Sequence, residues 1–112
     1  MIVPASEVRL ILSTAGSPEE GERIARALLD QRLAACVNIV PKLTSVYRWE
    51  DRIETASEVL LLIKTSAGLV ERAEAALRAA HSYEIPEVLV FSPVSGHADY
   101  VDWLIRSVAE PK

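Results

Sequence analysis

Glu58-Val59-Leu60-Leu61-Leu62-Ile63-Lys64-Thr65 decides the fold. Alternation puts Val59, Leu61 and Ile63 on one side of an extended chain and Leu60 and Leu62 on the other, so neither face belongs in water. That is the pattern of a central strand. The run is too short for a buried helix, and Thr65-Ser66 supplies a helix-start signal directly after it. Helices are expected over one face and neighbouring subunits over the other, with any functional site near the lysine end.

The rest of the chain falls into place around this strand. Glu7 to Thr14 is a second two-faced strand, with Val8, Leu10 and Leu12 opposite Ile11. Ser17 as N-cap, Pro18 at the first helical position and Glu20 reaching back in a capping box predict a helix running to about Arg32. Leu33 to Val40 reads as a strand interrupted by Pro41-Lys42 and resumed at Leu43 to Trp49, where the proline points to an edge or a bulge. Glu50-Asp51-Arg52 reverses the chain into Ile53, so a long hairpin results, its tip projecting beyond so small a sheet. Ser66 is the expected N-cap of a second helix over Ala67 to Ala80, Glu87 to Ser92 the last strand, and the spacing of Tyr100, Trp103, Leu104 and Val108 predicts a short docking helix. The order β-α-β-β-α-β plus a C-terminal helix predicts an α+β, ferredoxin-like split β-α-β domain spanning 1–112, with the two two-faced strands in the middle.

Composition removes several functions. The net charge of −4 and the 5% aromatic content leave neither a basic surface nor stacking platforms, so no nucleic-acid partner is expected. The lone Cys36 excludes an intramolecular disulfide framework and any CxxC device, and fits a reducing compartment. With no apolar run of transmembrane length and no basic region followed by an apolar core at the start, a soluble cytoplasmic protein without a membrane partner is expected. No nucleophile with a base partner, Gly-rich phosphate loop or paired-carboxylate constellation points to an enzyme. A chain of 112 residues is small for a sheet buried on both faces, which favours oligomerisation.

Three stretches carry a resemblance: Leu33-Ala34-Ala35-Cys36-Val37-Asn38-Ile39; Ser45-Val46-Tyr47-Arg48-Trp49-Glu50 with Ile53-Glu54; and Glu58 to Thr65. With His81-Ser82-Tyr83-Glu84-Ile85-Pro86-Glu87 and Asp99-Tyr100-Val101-Asp102-Trp103-Leu104, they resemble the divalent-cation tolerance protein CutA family, in order and over nearly the whole chain. The resemblance implies a ferredoxin-like subunit in a tight homotrimer, with hairpin strands pairing between subunits and shared residues in inter-subunit clefts. It further implies an association with tolerance to copper and other divalent metals, a trimer similar to the PII signalling proteins, and no settled reaction. Two positions depart from the pattern: Ser82 stands where the family usually has proline, and Ala80 where some members carry a second histidine.

Cys36 and His81 are the soft or borderline ligands with family counterparts; with Glu87 they form the candidate set for Cu2+ or another divalent cation, no cofactor being obligatory. The competing readings are a small buried hydrophobe for Cys36 and a helix end facing the last carbonyls for His81. Lys64 either surfaces at the sheet rim or faces a small anion in a cleft together with Tyr83 and Arg48. Glu87 is a candidate ion-pair partner for Lys64 or Arg48, and Tyr47, Trp49 and Trp103 are candidates for inter-subunit packing. Three functions follow: a non-catalytic metal-responsive trimer, a PII-like sensor of a small anion, and a trimeric scaffold for other proteins.

Overall fold

The computed structural model describes residues 1–110. Its core is a four-stranded antiparallel sheet built from β2 (Val8–Ala15), β3 (Cys36–Trp49), β4 (Arg52–Ser66) and β5 (Leu89–Phe91), in the order β3-β4-β2-β5. The two strands without a polar side, β2 and β4, are the central pair, and the connectivity is that of a split β-α-β unit. Helices α1 (Pro18–Asp30) and α2 (Val70–Ala80) lie on the face to which Ile11, Val59, Leu61 and Ile63 point. Ile24 and Leu28 of α1 and Leu77 of α2 are fully buried against them. At Gly21 the helix comes so close that a Cβ would stand 3.0 Å from Val59 Cγ2, so this glycine permits the contact.

Local chemistry sets the ends of these elements. Ser17 Oγ accepts from Glu20 N–H at 3.1 Å, and Pro18 occupies the first turn, as expected of a cap. The helix closes at Asp30, two residues before the expected end. Leu33 N–H reaches the Leu28 carbonyl and Arg32 N–H that of Leu29, a Schellman pair that places Arg32 at φ 56. Leu33 and Ala34 therefore act as a buried connector, and β3 starts only at Cys36. Ser66 is not the N-cap expected: it ends β4, its hydroxyl finds no partner among the described residues, and a 3-10 turn over Ala67–Leu69 leads into α2 instead. The last strand is three residues long rather than six, because it pairs with β2 only from Leu10 to Leu12.

The hairpin is the largest feature. At about 3.3 Å per residue its arms span some 45–50 Å, which matches the longest dimension of the chain, 46 Å. Its register slips between Val40 and Leu43, where Lys42 at φ 61 supplies the extra residue of a bulge beside Pro41. Glu50 and Asp51, at φ 50 and 63, make the two-residue reversal. Because β2 pairs with β4 only from Val59 onward, the hairpin beyond that level has no third strand among the described residues, and such a ribbon is marginal alone. Val46 and Ile53 are more than 60% exposed on it.

Two features lie outside the sequence-based expectation. Ile2–Pro4 (β1) and Ser95–His97 (β6) form a separate two-stranded antiparallel sheet. Helix α3 (Ala98–Ser107) packs on the second face of the main sheet, with Leu104 against Ala5 and Val8. That face was expected to be left wholly for other subunits; α3 covers its Val8 end. The remainder stays open, with Val40, Leu89 and Phe91 exposed there.

Candidate functional site

A concavity of about 600 Å3 lies between the hairpin and the loop after α2. Thr14, Ser45, Val46 and Ile85 are among the residues that line it. Its chemistry comes from Glu58, Glu84 and Glu87 together with the rings of Tyr47, Trp49 and Tyr83. None of the lining side chains is cationic.

A buried network holds the loop in place. Glu20 is nearly buried, and its carboxylate accepts Ser82 N–H at 2.7 Å and Gly16 N–H at 3.2 Å. It thus reaches one residue past the Ser17 amide expected of a capping box and also crosses to the loop. Burial alone would raise the Glu20 pKa, but the hydrogen bonds from Ser82 and Gly16 outweigh it and hold the carboxyl below its ordinary value. His81 follows: its side chain is fully buried, Nδ1 accepts Tyr83 N–H at 3.1 Å and Nε2 meets the Thr14 carbonyl at 2.7 Å. Those partners select the neutral tautomer with the proton on Nε2, donated to Thr14. The imidazole lone pair is therefore already engaged by Tyr83 N–H.

With the loop so fixed, the Tyr83 hydroxyl donates to Glu58 Oε2 at 2.7 Å. Burial first, and then the Glu58 carboxylate, raise the Tyr83 pKa well above its ordinary value, so the phenol stays protonated. Gly16 leaves room for that phenol: a Cβ there would lie 3.3 Å from its oxygen.

The expected site residues divide between the two ends of the sheet. Tyr83 and Glu87 line the groove with Tyr47 and Trp49, and His81 stands behind it. Cys36, a free thiol, pairs in register with Lys64 and through it with Leu10, four residues along β2 from the Thr14 carbonyl that His81 contacts, or about 13 Å. Cys36 and His81 of one chain therefore do not converge, and no group of three metal-ligating side chains occurs among the described residues. Nor does the His81 side chain face the carbonyls of its own helix, since its partner is Thr14 on β2. Lys64 donates to Tyr100 Oη at 3.1 Å and sits over that ring at 5.4 Å, on the α3 side. Arg48 is exposed, and neither it nor Lys64 pairs with Glu87 among the ion pairs of the described residues. Trp103 stacks against Tyr100 at 5.5 Å and is 41% exposed. Glu20 and Glu58 are the functional residues that sequence reasoning missed. The available signal was a carboxylate directly before the core position Val59, since a buried glutamate needs a partner.

Fold and site define an α+β domain with an acidic, aromatic-lined groove and an unfinished apolar face. The model of the CutA1 divalent ion tolerance protein family matches residues 9–107. Divalent-cation tolerance protein CutA of Thermus thermophilus is 42% identical over 85% of this chain and 92% of its own length. Human Protein CutA is 41% identical over 96% of this chain, which spans 59% of that longer protein. The crystal structure of CutA from Xylella fastidiosa superposes with a TM-score of 0.91 at 40% identity, covering 93% of this chain and all of the other. The chain belongs to the CutA1 divalent ion tolerance protein family.

Proposed function

We propose that this chain acts as a homotrimer with a non-catalytic role in the response to divalent metal, copper included. The open apolar surface carries the reading. Val46, Ile53 and Phe91 are half or more exposed, the hairpin extends beyond its sheet, and α3 covers only one end of the second face. Burying such area is the ordinary reason for an obligate assembly, and a ribbon unsupported in one chain gains its third strand from another. The family's name, divalent ion tolerance, supports the metal half. Because Cys36, His81 and Glu87 of one chain do not converge, a metal would be held where chains meet, and His81 would first release Tyr83 N–H.

Calorimetry with CuCl2 at pH 7 tests this: saturable heat in the wild type, reduced in His81→Ala or Cys36→Ser, is expected. No heat, or heat unchanged by both substitutions, sinks the metal assignment. A PII-like anion sensor has one supporting feature, Lys64, which has no carboxylate partner among the described residues. A scaffold role would use the same trimer's outer surface. No helix among the described residues is long and apolar enough to cross a membrane. A cytoplasmic location is our proposal from the free Cys36, although a relative from Archaeoglobus fulgidus is described as a periplasmic divalent cation tolerance protein.

A further inference from the structure

We propose that the groove of one chain is closed by the hairpin of the next, with Arg48 of one copy donating to Glu58 of its neighbour. Glu58 is nine-tenths buried and lines the groove. Its Oε2 accepts the Tyr83 hydroxyl, while Oε1 has no donor among the described residues. A carboxylate so far desolvated calls for a cation, and no lysine or arginine of the same chain lines the groove. The contact rests on the homotrimer proposed above and is independent of metal.

The chain's own cations single out the donor. Among the described residues, four arginines hold carboxylates of their own helices, two hold backbone carbonyls, and Lys64 holds Tyr100. Arg72 on α2 is left, with Lys42, Arg48 and Arg52 on the hairpin. No large apolar side chain is exposed on α2, so nothing there calls for burial. Lys42 belongs to the bulge at the foot of the ribbon, and Arg52 pairs in register with Trp49, on the groove side of its own chain. Alternation turns Arg48 the other way, beside Ile53, which is 63% exposed. Glu58 of the same chain pairs with Leu43, on the opposite face and about 16 Å back along the strand, beyond the reach of Arg48. An assembly that buries Ile53 takes the guanidinium with it, and a buried arginine needs a carboxylate. Each copy therefore carries one unpaired cation and one unpaired anionic oxygen, on different faces. Such a head-to-tail match closes copies into a ring, each giving Arg48 once and receiving it once. Glu84 and Glu87 add negative charge on the receiving side, and the planar fork of arginine suits more than one carboxylate oxygen.

The test is cross-linking of the full chain as it assembles in solution with a water-soluble carbodiimide, which joins an amine to a touching carboxylate and leaves a guanidinium unreacted. Arg48→Lys supplies the amine. Bands of two and three chain masses are expected on a denaturing gel, with mass spectrometry placing the junction between the peptides that contain positions 48 and 58. Adding Glu58→Gln should abolish that junction. Arg48→Met, at an exposed position, should weaken assembly about thirtyfold or more per contact, the range for truncating one partner of a buried charge pair, read by sedimentation on dilution. That variant decides the matter if the Glu58→Gln chain fails to fold by circular dichroism. A trimer that gives no junction between positions 48 and 58, or assembly unchanged in Arg48→Met, overturns the contact and leaves the trimer standing. A monomeric wild type overturns both.

Discussion

Replacing Glu20 by alanine tests whether the groove loop is held from behind. The substitution removes the acceptor for Ser82 N–H at 2.7 Å and Gly16 N–H at 3.2 Å. A hydrogen bond to a charged group contributes about 1.5–3 kcal/mol. Gly16 lies at the exposed end of β2 and can be rehydrated, so its bond belongs at or below the lower limit. The expected loss is about 2–4 kcal/mol, which for a chain of this length lowers Tm by about 8–17 °C. Urea unfolding measures the loss, and hydrogen exchange at Ser82 and Tyr83 locates it. Acid adds a second signature. Folded Glu20 holds its proton less tightly than unfolded Glu20, so its contribution is full above the ordinary glutamate range and disappears as pH falls through the folded value. Wild type and Glu20→Ala should therefore differ most near neutrality and converge in acid. A loss below about 0.5 kcal/mol, typical of a surface change, with exchange at Ser82 and Tyr83 unaltered, would refute the reasoning.

Three further substitutions probe other parts of the account. Thr65→Val removes the buried Oγ1 donor to the Leu33 carbonyl at 2.7 Å and should lower stability by about 1–3 kcal/mol in urea titrations. Arg32→Gly relieves a left-handed backbone at φ 56 and, after the added freedom of the unfolded glycine, should stabilise by about 0.5 kcal/mol, seen as a Tm rise of about 2 °C. Phe91→Glu puts a carboxylate on the open face beside Leu10, where assembly would bury it unpaired. Sedimentation should then show folded, smaller species.

The fold was legible where one strand had to satisfy two faces. Val59 to Ile63 and Val8 to Leu12 carry apolar side chains on both sides, which allows only central positions. Pro41-Lys42 marked the bulge because a missing donor breaks the ladder, and Glu50-Asp51 marked the reversal. What stayed hidden depends on tertiary context. Ile2–Pro4 and Ser95–His97 are short, contain proline or glycine, and pair across nearly the whole chain, so no local pattern announces them. The face that α3 chooses is likewise set by Ala5 and Val8, not by its own periodicity. In the site, the loop from His81 to Glu87 was visible, but its wiring was not. Glu20 looked like an ordinary capping residue and Glu58 like the polar start of a strand. Only the approach of Ser82 to one and of Tyr83 to the other turns them into the posts of the groove.

Sedimentation equilibrium at micromolar concentration tests most directly whether one chain leaves its second face for others to close. A stable species of three times the chain mass is expected, persisting on dilution. A folded monomer throughout that range would contradict the account.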